Sequence, residues 1–521
     1  MPAFKNTLYY GDNLDILRRK IKDETVDLCY IDPPFNSKRN YNQIYNNLGG
    51  EDRAQAQAFI DTWIWDEHAI AGHDEILSNA EGRFQSQVVE LIKGLHAVLG
   101  QGSLLAYLVS MALRVTEIQR VLKPTGSFYL HCDPTSSHYL KLVLDAIFCP
   151  PGGNFINEVA WCYDLGGRVS KKAYGRRHDI LLFYSKTNNY TFNFMDVLNE
   201  WDEKGKAKFR YEDEKGRYRL IGRFLKDSPI KGHRDVSQEW ETTHPELVQR
   251  YYMKEGKAQV DFWRISPINQ VSPERLGYPT QKPEELLERI IKASSNKGDI
   301  VLDAYCGCGT TIAVAQRLKR RWIGMDITYQ SIALILRRLE KTFGKAVIDG
   351  IVLDGVPQDM ESAVALAHKK DDRLRKEFEK WAVLTYTNNR AIINEKKGAD
   401  AGIDGIAYFK VGKNDNAKII FQVKSGGVKR GDVATLRGDM GREQAALAVL
   451  ITLEEASGSM ISEAKKAGQY KHEDMGRSYD KISIVPVREI VEEGKRLEIP
   501  MSLEVLAAAQ RASDSTQLDL L

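Results

Sequence analysis

The 521-residue chain has no run of about 18 apolar residues, so nothing in it reads as a membrane-spanning helix. Its opening segment, MPAFKNTLYYGD, lacks the apolar stretch of a secretory signal, and the expected location is cytoplasmic. Cysteine is scarce. The six residues, Cys29, Cys132, Cys149, Cys162, Cys306 and Cys308, are too few and too scattered for a disulfide framework, which points to a reducing compartment. No second Cys or His pair stands at zinc spacing near Cys306 and Cys308, which argues against a zinc site. An excess of one charge is also missing. Lys and Arg number 74 against 71 Asp and Glu, a net +3, which excludes a polycationic coat for nucleic acid but leaves room for a local basic groove. There is no internal repeat and no low-complexity tract. At roughly 100–200 residues per domain, the length predicts two to four domains.

What is present is an alternation of strand and helix. TLYY, the turn Gly11-Asp12, the amphipathic NLDILRRKI and the buried VDLCYI form a βαβ start that ends at Asp32-Pro33-Pro34-Phe35. Residues 36–80 read as a long loop with short helices. A helix over 104–122 stops at Lys123-Pro124-Thr125-Gly126, followed by the strand SFYLHCD and the helix HYLKLVLDAIF. From Pro283 a helix begins with Leu286, Leu287, Ile290 and Ile291 at core spacing. IVLDAY, TTIAVAQRLKR, RWIGMDI and SIALILRRLEKTF then alternate strand and helix, which implies a parallel sheet covered on both faces. Residues 165–235 differ: 17 Lys and Arg against 10 Asp and Glu, interleaved with aromatics such as Tyr174, Tyr190 and Trp201. A boundary is expected at 345–372, with a separate α/β unit beyond it.

Three constellations carry chemistry. In Asp303-Ala304-Tyr305-Cys306-Gly307-Cys308-Gly309-Thr310, glycines just past a strand let the backbone approach a ligand, and the next helix offers free N–H groups. An ordinary tight turn would use the same glycines, and the third glycine of a dinucleotide fingerprint is absent. Asp326, ending the next strand, could accept bonds from ribose hydroxyls. In Asp32-Pro33-Pro34-Phe35, two prolines end the sheet and leave a stiff loop bearing a carboxylate, carbonyls and an aromatic face. That set suits an exocyclic amine on a flat base: the carboxylate and a carbonyl accept its N–H bonds and favour the nucleophilic, pyramidal form. In the C-terminal unit, Gly402-Ile403-Asp404-Gly405 precedes a strand bearing Gln422 and Lys424 on one face. His131 and Asp133, and the tryptophans Trp63 and Trp65, fit packing or loop-shaping as well as any site.

Together the first two constellations resemble the amino-methylating DNA methyltransferases, which act on adenine N6 or cytosine N4. Asp32, Pro33, Pro34 and Phe35 look like that family's catalytic motif, with Phe35 stacking on a flipped base. Asp303, Tyr305, Gly307, Gly309 and Thr310 look like its cofactor loop. Tyr278-Pro279-Thr280-Gln281-Lys282-Pro283 looks like the segment lining the methionine end, which gives Thr280 and Lys282 to the cofactor, and Gly11-Asp12 looks like the acidic turn at its adenine. The order of catalytic loop, basic insert and cofactor loop matches the beta-type permutation over about residues 5–345. Tyr305, Cys306 and Cys308 depart from the usual loop residues. The resemblance implies S-adenosylmethionine as cofactor, double-stranded DNA as partner and a target-recognition role for residues 165–275, where Lys and Arg would meet phosphates. Asp rather than Ser before the prolines favours adenine N6.

The third constellation resembles the Mrr-type restriction-endonuclease domain. It implies a site of Glu379, Asp404, Gln422 and Lys424, with magnesium on Asp404 and Lys424 orienting water. Gln422 stands where most nucleases of the wider superfamily carry an acid.

The expected architecture is therefore α/β. A doubly wound, Rossmann-like methyltransferase occupies residues 1–164 and 276–350, with the recognition insert at 165–275. A linker follows at 351–372, then a restriction-endonuclease-like α/β domain at 373–500 and a tail at 501–521. The expected function is site-specific DNA methylation within restriction–modification. Two alternatives stay open: a fused enzyme that also cleaves unmethylated DNA, and cytosine-N4 methylation with a non-catalytic C-terminal module. Whether the chain forms a homodimer or works with a restriction subunit is also open.

Overall fold

The computed structural model describes residues 4–35, 63–163, 174–175, 177–223, 234–269, 272–278, 280–368, 372–394, 402–411, 415–472 and 476–499. The loop segment 36–62, Pro279, parts of the basic segment (164–173 and 224–233) and the expected tail at 501–521 lie outside the described residues. Among the described residues no helix is long and apolar enough to cross a membrane.

The alternating pattern builds one nine-stranded sheet. Its strands begin with β1 (Thr7–Tyr10), β2 (Val26–Ile31), β3 (Leu122–Cys132), β4 (Asn154–Cys162) and β5 (His178–Ser185). The chain then makes a small antiparallel sheet of β6 (Tyr211–Asp213), β7 (Gly216–Gly222) and β8 (Val248–Tyr252). It returns with β9 (Phe262–Arg264), β10 (Ile300–Asp303), β11 (Arg321–Asp326) and β12 (Val352–Asp354). The order across the large sheet is β12-β1-β11-β10-β2-β3-β5-β4-β9. Strands β12 to β3 run parallel, and β5 runs antiparallel to both its neighbours. The run VDLCYI is buried at every position because each face has its own core: Leu28 and Tyr30 join one cluster, Cys29 and Ile31 the other. The four apolar residues read at core spacing, Leu286, Leu287, Ile290 and Ile291, are all fully buried on the helix Glu284–Ser294, which starts after Pro283.

β2 and β10 are neighbours, and the chain winds away from them in opposite directions, to β3 on one side and to β11 on the other. In open sheets of this kind the crevice beyond the carboxyl ends, at the reversal, is where ligands bind.

The C-terminal unit is a second, mixed sheet of β13 (Ile392–Ile393), β14 (Gly405–Val411), β15 (Asp415–Lys424), β16 (Leu447–Thr452) and, past the hairpin β17 (Gln469–Lys471) and β18 (Ser478–Asp480), β19 (Ile482–Pro486). The order is β13-β14-β15-β16-β19.

Three expectations differ from what is seen. The stretch read as a linker, 351–372, contains β12, which pairs with β1 from Thr7↔Val352 to Tyr9↔Asp354, and the helix Met360–Ala367. A three-residue strand carries too little periodicity to register in sequence. The segment read as an insert, 165–275, supplies β5 and β9 to the large sheet; the apolar HDILLFYS was averaged away by the basic residues around it. The genuine excursion is the small sheet, which has its own core of Tyr218, Leu220 and Val248. Lys123-Pro124-Thr125-Gly126 lies within β3, where the register against β2 shifts between Val26 and Leu28. The two units also share apolar packing, since one core cluster runs from Leu8 through Tyr329 and Trp381 to Val487.

Candidate active site

Four carboxylates converge at the carboxyl ends of four adjacent parallel strands. Asp12 lies just past β1, Asp32 just past β2, Asp303 ends β10 and Asp326 ends β11. All four line one cleft of about 220 Å³.

Each is positioned by local rules. Gly11, at φ +145°, turns the chain so that Asp12 caps the helix Asn13–Lys20, accepting from the N–H of Leu14 at 2.8 Å and of Asp15 at 3.3 Å. Its second oxygen accepts from Arg114 at 2.8 Å. Asp303 accepts from the Tyr305 N–H at 3.0 Å, and Asp326 from the N–H of Gly307 and of Thr328, each at 2.9 Å. Burial pushes the Asp303 carboxyl up to about 7, with Asp32 and Asp326 adding repulsion against its hydrogen bonds. Burial likewise pushes Asp326 up to about 6 against the bonds it accepts. Gly307 and Gly309 both hold left-handed backbone. A Cβ on Gly309 would stand 2.6 Å from Ile335 Cγ1, and one on Gly307 would press on the Tyr278 ring at 3.1 Å.

Asp32 forms an ion pair with Lys282, and the Lys282 ammonium lies 5.3 Å from the centroid of the Phe35 ring. His131, fully buried at the end of β3, stands 4.0 Å from Asp32 Oδ1. Its Nδ1 meets the Tyr30 hydroxyl at 2.9 Å and its Nε2 meets Asp179 Oδ2 at 3.2 Å. Tyr163 donates to the other Asp179 oxygen at 3.2 Å. Burial raises Asp179, yet the His131 and Tyr163 bonds and the nearby Lys282 charge bring it below its ordinary value. Trp63 donates its indole N–H to the Pro34 carbonyl at 3.3 Å and packs on Tyr107, so it anchors the loop while lining the cleft.

The cleft therefore brings together Asp12, Asp32, Pro33, Pro34, Phe35, Thr280, Lys282, Asp303, Tyr305, Gly307, Thr310 and Asp326. Gly309 is not among its lining residues; it starts the helix Thr310–Arg317. Sequence reasoning passed over Arg114, Asn13, Tyr30 and Asp179. Arg114 left a signal, as the one charge within the mostly apolar LLAYLVSMALRV. His131 belongs to the wall beside Asp32, whereas Asp133 shapes the following turn by accepting from Ser136.

In the C-terminal unit, Asp404 Oδ2 accepts from the Val423 N–H at 2.7 Å, and Gln422 donates to the Gly402 carbonyl at 3.0 Å. Glu379 sits close enough to Lys424 to feel its charge, but burial dominates and raises its carboxyl. Among the described residues no group of three or more His, Cys, Asp or Glu could hold a metal ion. An oxygen of Asp404 is committed to the backbone, and Gln422 adds no charge. Among the described residues nothing supports the magnesium expected on Asp404.

The family profile described as DNA methylase matches residues 26–337, more than half of the chain. DNA adenine methyltransferase YhdJ of Escherichia coli (strain K12) is 28% identical over 335 residues, covering 64% of this chain and 82% of the relative. Type II methyltransferase M.EcaI of Enterobacter cloacae is 24% identical over 394 residues, covering 69% of this chain and 75% of the relative. The solved structure of PvuII DNA methyltransferase (cytosine-N4-specific) aligns over 68% of this chain and 95% of its own, at 13% identity and a TM-score of 0.38. Residues 374–476 match a second profile, described as NACHT-associated inactive Restriction Endonuclease 1. That match widens the Mrr-type assignment to a restriction-endonuclease-like domain.

Proposed function

The chain belongs to the DNA methylase family, and we propose that it transfers a methyl group from S-adenosylmethionine to the exocyclic amine of a flipped base in double-stranded DNA, adenine N6 in preference to cytosine N4. The observation that carries this reading is the Asp32 carboxylate beside Phe35 in the same cleft as the Gly307 turn and Asp326. The preference for adenine rests on Asp rather than Ser before Pro33-Pro34, and the relative named as an adenine methyltransferase agrees with it.

The cleft fits the cofactor. Carboxylates at Asp12 and Asp326 suit ribose hydroxyls and an adenine amine, the left-handed Gly307 turn admits a ligand against the backbone, and Asp303 suits an ammonium. When bound, S-adenosylmethionine supplies an electrophilic methyl group on a sulfonium sulfur. Asp32 and the Pro33 carbonyl accept the N–H bonds of the target amine and make its lone pair available. Phe35 stacks on the base and holds it in line. Once nitrogen has gained the methyl group it must lose a proton, and Asp32 is the adjacent acceptor. His131, fixed between Tyr30 and Asp179, keeps Asp32 facing the cleft.

We assign target recognition to the small sheet of β6, β7 and β8 with its flanking basic segments. The C-terminal unit is read as non-nucleolytic, supported by the description of its matching profile and by its thin donor set. The protein's setting is read as restriction–modification.

The test is sequencing that reports modified bases in DNA from a host expressing the wild type or Asp32→Ala. N6-methyladenine at one recurring sequence, lost in the variant, is the expected result. N4-methylcytosine would move the base assignment, and no modified base with either protein would overturn the reading.

A further inference from the structure

Lys282 was expected at the cofactor, yet its ammonium bonds Asp32 and lies over the Phe35 ring, with the Thr280 carbonyl 3.5 Å away. It presents N–H donors to the same carboxylate, over the same aromatic face, that methyl transfer requires for the target amine. Both side chains are largely enclosed, Lys282 being 12% and Asp32 16% exposed, so an amine and this ammonium cannot share the place. A base reaches Asp32 only after Lys282 lets go.

We propose that Lys282 is a positioning residue that holds Asp32 until the carboxylate of the cofactor's amino-acid end draws its ammonium away, so that cofactor binding opens the base site. This rests on the methyl-transfer reading of the same cleft. The charges argue for it. Beside the four carboxylates, the cations lining the cleft among the described residues are Arg114 and Lys282. Arg114 is fixed at the Asp12 end by Asp12 itself, by Asn13 Oδ1 at 2.6 Å and by Ser110 Oγ at 2.8 Å. A carboxylate entering a cleft with four others needs a cation, and a lysine ammonium on a flexible stem is the one able to move. The exchange trades one charge-assisted bond for another, so it costs little overall. Asp32, released, keeps His131 as its neighbour and gains free acceptor capacity.

Thermodynamic linkage supplies the test, read by calorimetric titration of the full chain with two probes. S-adenosylhomocysteine carries the amino-acid end, whereas 5′-methylthioadenosine shares the nucleoside and thioether but has no carboxylate. Asp32→Asn, which frees Lys282, should tighten S-adenosylhomocysteine by roughly five- to tenfold and leave methylthioadenosine within about twofold. Lys282→Met should weaken S-adenosylhomocysteine about tenfold with methylthioadenosine unchanged. In the combined variant the Asp32→Asn gain should vanish. An unchanged affinity in Asp32→Asn, or the same gain with Lys282 absent, would overturn the exchange. Failure of the wild type to bind either probe would instead overturn the cofactor reading and the exchange with it. Methylthioadenosine binding reports an intact cleft in each variant, and the Asp32→Asn arm decides alone should Lys282→Met lose it.

Discussion

Asp32 and Asp404 invite comparison. Each is a carboxylate beside the end of a buried strand in an α/β unit, and each has a lysine nearby in sequence or space. Their partners differ in kind. Asp32 is met by the side chain of Lys282, carried on a separate segment, while Asp404 is met by the backbone N–H of Val423 on β15. A side-chain partner can be exchanged for a ligand with the fold untouched. A backbone partner cannot leave without loosening the sheet, so on the proposed reading the same residue type serves chemistry in one unit and architecture in the other.

The largest test of this contrast is a pair of substitutions. Asp32→Asn should lower the methylation rate by about 10³-fold while the unfolding midpoint barely moves. Asp404→Ala should leave methylation within about twofold but cost about 1–3 kcal/mol in urea unfolding, because Val423 N–H loses its acceptor. Methylation abolished by Asp404→Ala at unchanged stability would break the comparison.

Next comes the electrostatic cost of the cleft. Asp303, at about 7 against an ordinary 3.8, holds its proton more tightly in the folded chain than in the unfolded one. The stability this confers is complete below about pH 4 and lost as pH rises through 7. Asp303→Asn should therefore be more stable than the wild type at pH 8, by up to about 4 kcal/mol, with the difference fading toward pH 4. It should also bind S-adenosylhomocysteine more weakly. Thermal unfolding across that range checks the sign, and a pH-independent difference would remove charge as the cause.

A smaller effect concerns how the second unit serves the first. Buried Glu377, on the helix Asp372–Tyr386, accepts from the N–H of Tyr329 at 2.7 Å, three residues after Asp326. Tyr329 also meets Thr385 at 3.1 Å and stacks edge-on with Tyr10. Glu377→Ala should cost about 1–3 kcal/mol and weaken S-adenosylhomocysteine severalfold, as the turn that follows Asp326 loosens. Unchanged binding would confine the contact to stability. The smallest effect is expected from Lys424→Ala: methylation unchanged, and supercoiled DNA left intact with magnesium by variant and wild type alike. Magnesium-dependent cleavage lost only in the variant would restore a nuclease to the C-terminal unit.

The sheet's inner strands were legible because burial on both faces leaves apolar runs such as LCYI in β2 and IVL in β10. β12 and β9 were not, since three-residue edge strands leave almost no pattern and are fixed by their neighbours. In the cleft, Asp32, Asp303 and Asp326 could be read from their strand-end positions. Asp179 could not, because it reaches the site through His131, a contact between strands far apart in sequence, and Tyr30, though it lines the cleft, reads in VDLCYI as one more buried strand position. Lys282 was expected beside the cofactor loop, and its partner depends on a fold that brings residues 250 positions apart into one ion pair.

The position of β1 has a consequence for how this protein is made. Among the described strands β1 pairs only with β11 and β12, so β1 waits for residues 321–326 and 352–354 to emerge. At about 5–20 residues per second, that delay is on the order of 15–60 seconds. For most of it, a nascent chain carries Asp12 and Asp32 without Asp326 or the Gly307 turn, and the cleft has no cofactor side. Translation through the second half of the chain is thus also the step that assembles the active site.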